Sequence, residues 1–227
     1  MDNFNLPKSI IEEDMNKTRK LMMLGLLPVM FACGGAEESD ETNEDEDQVT
    51  EEACTYSYDE SSTVLTWTAF KTSEKVAVNG TFDKINVTAK ESDDMLGVFD
   101  GATFEIPINT LNTQDPVRDH KLKNSFFGNM ETTEMITGTI VSMTETEAVV
   151  DITMNGGTVS YDGTVEIDGE TVTLSIVMDI LDFDGQLAMD SLSVVCAEKH
   201  TGEDGENRLW SDVGITAKTT LKKDCAL

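Results

Sequence analysis

The chain has 227 residues and a formal charge of −28, with 44 acidic side chains against 16 basic ones. That balance argues against a nucleic-acid binder, which needs clustered Lys and Arg to neutralise phosphates, and against adsorption onto anionic lipid. With two histidines in the whole sequence, metal and general-base chemistry is sharply limited, and no metal or cofactor is expected.

Residues 21–32, LMMLGLLPVMFA, follow Lys17, Arg19 and Lys20 and are interrupted by Pro28. The run is shorter than the roughly 20 residues of a membrane-spanning helix. A basic flank, a short apolar stretch and a small residue, Ala32, describe a secretory signal over residues 1–32. The first fourteen residues fit no signal, so translation is expected to begin at Met15. MFAC-GG resembles the lipobox of bacterial lipoproteins, with Met30 where Leu or Val is usual. The resemblance implies a lipidated Cys33 at the head of the mature chain.

Residues 34–52 carry ten acids and no base. Such a segment cannot bury enough apolar surface to offset its ordering entropy, so residues 33–52 read as a lipidated cysteine and a disordered, self-repelling acidic tether. Residues 1–32 balance four acids with four bases, which leaves −18 on the domain at 53–227. The membrane is then reached through the N-terminal acyl anchor only. The expected location is the bacterial cell envelope, as an outer-membrane lipoprotein that is periplasmic or surface-exposed. Three further cysteines, Cys54, Cys196 and Cys225, suit one disulfide in an oxidising compartment. If the first and last strands pair antiparallel, Cys54 and Cys225 lie side by side and Cys196 is left as a thiol. Cys196–Cys225 is the competing pair.

From residue 63 onward the pattern alternates with period two. Strands are expected at 63–71, 75–89 and 102–113, a hairpin at 136–157, a second hairpin at 158–180 turning at Asp168-Gly169, and a last strand at 213–223. Two stretches break the pattern. Residues 115–130, DPVRDHKLKNSFFGNM, form a polar loop with a helical turn, and 184–212 hold a short helix at 186–198 followed by a glycine- and acid-rich loop. About eight long strands with hairpin links describe an all-β, antiparallel up-and-down barrel with one short helix and long-loop insert, just wide enough for one small ligand.

Several stretches are similar to the YceI-like family, lipocalin-like barrels that bind polyisoprenoid lipids. They are VLTWTAFKTSEKVAVNGTFDKINV, the stretch FEIPINTLNTQDPVRDHKLKNSFF with Arg118-Asp119, Leu122 and the Phe126–Phe127 pair, and TVSYDGTVEIDGETVTLSIVM. The similarity covers residues 56–223. It departs after the Phe pair, where ETTEMITGTI replaces a Tyr-Pro, and in the long 184–212 insert.

The family implies non-catalytic binding, carriage or storage of an apolar isoprenoid or other lipid. The pleat sends every second residue inward. On that basis Trp67, Phe82, Phe104, Ile106, Ile108, Ile140, Ile152, Met154, Val165, Leu174, Ile176 and Met178 face the interior. The same residues would serve equally to fill a solid core; the resemblance turns the reading toward a cavity. Phe126 and Phe127 anchor the 115–130 loop against ligand or wall. Arg118, His120 and Lys121, with Lys123, stand at the rim, where a quinone or phosphate head group would sit. The alternative is a surface lipoprotein whose filled barrel acts as a protein- or glycan-interaction module. A Cys196/His200/Asp204 cluster lacks base–orienter or metal-ligand spacing, DFDGQ and TGEDGEN lack alternating calcium ligands, and no Gly-x-Ser-x-Gly occurs. An enzyme is not expected.

Overall fold

The computed structural model describes residues 53–131 and 134–226. The signal segment, Cys33 and the acidic tether lie outside the described residues. In chain order the strands are β1 (Cys54–Ser57), β2 (Val64–Lys71), β3 (Val76–Phe82), β4 (Asn86–Thr88), β5 (Thr103–Pro107) and β6 (Leu111–Asn112). After helix α1 (Pro116–Lys121) come β7 (Met135–Met143), β8 (Glu147–Met154), β9 (Gly157–Asp168) and β10 (Thr171–Asp179). Helices α2 (Gln186–Val195) and α3 (Ala197–His200) then precede β11 (Leu209–Thr220) and β12 (Lys222–Cys225).

Ten strands form one antiparallel sheet in the order β4-β5-β7-β8-β9-β10-β11-β2-β3-β6. The two ends of that order share the same stretches of chain. Residues 103–107 pair with β4 and β7, and their continuation 111–112 pairs with β3. The Asp83 amide also donates to the Thr110 carbonyl. Counting β3/β4 and β5/β6 each as one interrupted strand, the sheet closes as eight, the number expected. Pro107 accounts for one interruption: it has no N–H for the ladder, and the chain leaves it through a 3-10 turn at Ile108–Thr110. The expected 75–89 and 102–113 strands are these two broken ones.

Alternation builds the interior. In β8, Ala148, Val150, Ile152 and Met154 are buried and the residues between them are not. Register shifts between Ile140 and Ser142 and between Leu209 and Val213 bend the wall. Two cross-strand pairs set a large ring directly opposite a glycine: Trp67 on β2 faces Gly80 on β3, and Phe104 on β5 faces Gly138 on β7. A Cβ at Gly80 would lie 2.3 Å from Trp67 Cζ2, and one at Gly138 would lie 2.2 Å from Phe104 Cζ. The rings therefore lie against the wall because these positions carry no side chain.

At the end where β5 begins, Val98 and Phe99 pack into the core. There too β1 and β12 form a separate two-stranded ribbon, and a disulfide joins Cys54 to Cys225 with Cα atoms 4.0 Å apart. Cys196 is free.

Candidate functional site

The barrel interior holds two apolar lobes. The outer one, about 110 Å³, is lined from the sheet by Ala69, Met154, Met178, Val213 and Ile215, and from the cap by Leu122, Phe126, Phe127, Met189 and Leu192. The inner one, about 100 Å³, lies among Leu65, Ile85, Phe104, Ile106, Ile140, Val150, Ile152, Leu174 and Ile176. Trp67, Phe82, Ile136, Met178 and Ile215 line both lobes and form the partition between them. Trp67 is only 8% exposed, and its Nε1 has no hydrogen-bond partner.

The cap is made by the two stretches that broke the strand pattern. Asp115 caps α1 by accepting from the Val117 and Arg118 amides, with Pro116 at the first helical position, where its missing N–H costs nothing. Asp119 accepts from both the amide and the hydroxyl of Thr113 and so ties the helix to the end of β6. The chain then widens into a π turn at Leu122–Phe126 and tightens to a 3-10 turn at Phe127–Asn129. Neighbouring side chains on a regular helix diverge by about 100°. The change of turn lets both rings be buried, edge to face with centroids 5.0 Å apart. Helix α2 packs alongside: Asn129 reaches Ser191, and the Lys121 ammonium donates to the Val195 carbonyl.

Above the outer lobe lies a third cavity of about 230 Å³, the mouth. Trp67, Ala69, Leu122, Leu192 and Leu209 line it together with the lobe below. Its polar lining consists of Lys71, Asp115, Arg118, Lys121, Cys196, Lys199 and His200. His200 is 7% exposed, and its Nδ1 has no partner. Burial, then the nearby Lys71 and Lys121 charges, hold its pKa below the ordinary imidazole value. Among the described residues no group of three or more His, Cys, Asp or Glu converges as a metal site would require.

Of the expected interior residues, Trp67, Phe82, Phe104, Ile106, Ile140, Ile152, Met154, Leu174, Ile176 and Met178 line one lobe or both, as do Phe126 and Phe127. Two are corrected. Ile108, in the 3-10 turn after Pro107, stays on the inward side with Ile106 and is buried in the core, outside both lobes. Val165 sits beyond the inner lobe, its amide bonded to Thr146 at the closed end. At the rim Arg118 and Lys121 line the mouth, but His120 does not. It is exposed on the outer side of α1 beside Asn124, and Lys123 turns away to the Asn109 carbonyl. Lys71, Lys199 and His200 take the places expected of them. The sign that pointed there is Lys199-His200 inside the insert, next to the helical stretch at 186–198.

The YceI-like domain family model matches residues 56–220. Among solved structures, a polyisoprenoid binding domain from Saccharophagus degradans implicated in plant cell wall breakdown is 13% identical. The match spans 78% of this chain and 100% of that one, with a TM-score of 0.52. BcnA of Burkholderia cenocepacia is 14% identical over 74% of this chain and 99% of its own, with a TM-score of 0.46. The Campylobacter jejuni YCEI protein is 13% identical over 66% and 85%, with a TM-score of 0.40. Among curated proteins none matches.

Proposed function

The chain belongs to the YceI-like domain family, and from that premise we propose that it is a non-catalytic protein which binds an apolar isoprenoid or other lipid inside its barrel, for carriage or storage. The observation that carries the reading is the pair of lobes, about 110 and about 100 Å³, lined by apolar side chains and separated only by a side-chain partition. A barrel meant only as a scaffold for surface contacts gains nothing from such voids, since each forfeits packing contacts. The Saccharophagus degradans domain, which shares the fold, is a polyisoprenoid binding domain, and that supports the same ligand class.

Each lobe is smaller than an apolar cavity of about 150 Å³, which holds one benzene. A longer tail requires the partition to open. Met178, with three flexible torsions, and the Trp67 and Phe82 rings are the groups that must move. Every methylene-sized group then buried contributes about 0.8 kcal/mol. The acyl anchor at Cys33, the tether and the bacterial envelope location are part of the same proposal: they would hold the carrier where isoprenoid lipids are found.

The test is organic extraction of protein purified from its native host, followed by mass spectrometry. A stoichiometric lipid is expected, and Ile152→Asp should abolish it while the circular dichroism of the barrel persists. A lipid-free protein that also refuses added isoprenoid would favour the surface-module reading.

A further inference from the structure

We propose that the outer surface of the cap, where α1 and α2 meet, is a docking face for a lipid bilayer, so that the lumen loads and unloads against the membrane rather than through water. The exchange of ligand rests on the lipid-binding reading; the docking itself does not.

Helix α2 is apolar on two sides. Ala188 and Leu192 are buried and Met189 lines the outer lobe, which is the inward face of an amphipathic helix. Leu187 and Val194, seven residues apart and so on one side of the helix, are nevertheless 72% and 75% exposed. The patch continues onto α1. Val117 there is 68% exposed. Lys121, one turn further along, donates to the carbonyl of Val195, whose side chain is exposed as well. Among the described residues Leu187, Val194 and Val117 are three of the four most exposed large apolar side chains. The fourth, Val177, stands on the outside of the sheet among the hydroxyls of Thr68, Thr164, Ser175 and Thr216. A lone exposed valine calls for no partner; a cluster on two adjoining helices does.

The charge pattern favours a membrane as that partner. Residues 115–130 and 186–200, which make the cap, carry four acids and four bases, so the −18 of the domain falls entirely on its other residues. Three of the four acids are engaged locally: Asp115 by two amides and the Arg118 guanidinium, Asp119 by Thr113, and Asp190 by Gln186. Lys121 and Lys123 donate to neutral carbonyls. Lys199 is exposed and forms no ion pair among the described residues. A strongly acidic surface is repelled by lipid phosphates. The cap is spared that repulsion, and ammonium groups beside exposed apolar side chains suit the boundary between head groups and acyl chains. A second copy seated on the same surface would instead bring two acidic domains together. The mouth cavity opens here too, since Val117, Lys121 and Lys199 line it, and a bilayer docked on the cap faces the way into the lumen. Where the sequence left only an acyl anchor to reach a membrane, the folded cap supplies a second contact.

The test attaches a nitrobenzoxadiazole label at Val194→Cys, with Val177→Cys as the comparison, both in the full chain carrying Cys196→Ser. On phosphatidylcholine vesicles, iodide quenching of the label at position 194 is expected to fall by about threefold or more, as for a side chain sunk below the head groups, while the label at position 177 stays as open as in solution. Equal quenching at the two positions on vesicles overturns the proposal. Protection at position 194 that is already present without vesicles, in a chain that sediments as a dimer, overturns it in favour of a second copy. Leu187→Asp/Val194→Asp touches neither lobe and should leave circular dichroism and farnesol affinity unchanged. The rate at which bound farnesol passes to acceptor vesicles should fall by about tenfold or more, because two apolar side chains no longer enter the bilayer. An unchanged transfer rate overturns the proposal. If vesicles shield position 194 but the chain holds no prenyl compound, the docking face stands and the lipid-binding reading falls.

Discussion

Replacing Gly80 by Ala should close the lumen without unfolding the barrel. The new methyl would stand 2.3 Å from Trp67 Cζ2, 2.5 Å from Cε2 and 2.9 Å from Nε1. Carbon–carbon contact is comfortable only at about 3.5–4.0 Å. The indole must therefore retreat by more than 1 Å, about the width of a bond, and the space it can enter is the partition between the lobes. Overpacking of this kind costs about 1–3 kcal/mol, and loss of glycine's freedom in the unfolded chain returns about 0.4–1 kcal/mol. A net destabilisation of about 1–2 kcal/mol is expected in urea unfolding. Affinity for an apolar isoprenoid should fall by about tenfold or more, since a contact worth about 1.4 kcal/mol or more is lost from the tail. Shrinking the ring in Gly80→Ala/Trp67→Phe should restore much of both. If Gly80→Ala binds and unfolds like the parent protein, the indole is not held against the wall by this contact and the partition has been wrongly assigned.

The sulfur bridge and the buried imidazole give two more expectations. Cys54 and Cys225 are 171 residues apart, and closing a loop of that length restricts the unfolded chain by about 5 kcal/mol in the chain-entropy treatment. Cys54→Ser/Cys225→Ser should lower the urea midpoint accordingly, and an unchanged midpoint would show that the ribbon frays without consequence. For His200 the folded pKa lies below the unfolded value, through burial first and then Lys71 and Lys121. In the window between the two values the unfolded chain binds the extra proton, so stability stands above about pH 6.5 and drains as pH falls below it. His200→Gln should flatten that slope in urea titrations between about pH 5.5 and 8; a slope that persists unchanged would assign it to other groups.

The barrel was legible because its physics is local. In β8 and β10 every inward residue is apolar, and between β9 and β10 the hairpin glycine Gly169 sits at φ +58°, where the Asp-Gly pair asked for a tight turn. The alternation carries past the turn at Pro107 as well, where Ile108 is buried like Ile106 before it. The mouth was only half legible. Arg118 and Lys121 share one side of a short helix whose other side carries His120, a distinction that requires counting by 3.6 rather than reading basic residues as a cluster. Lys71, Lys199 and His200 come from a strand end and from a helix in the insert. No spacing in the sequence brings them together; closure of the sheet and docking of α2 do.

Where the chain enters the domain decides how it carries load. The β1–β12 ribbon and its sulfur bridge lie at the floor of the barrel, since β2 begins there and ends at the mouth with Lys71. A pull applied upstream of Cys54 is thus handed across to Cys225 and shared by the first and last strands together, instead of peeling β1 away alone. The same arrangement sets the first described strand, β1, at the base of the domain, the end away from the mouth.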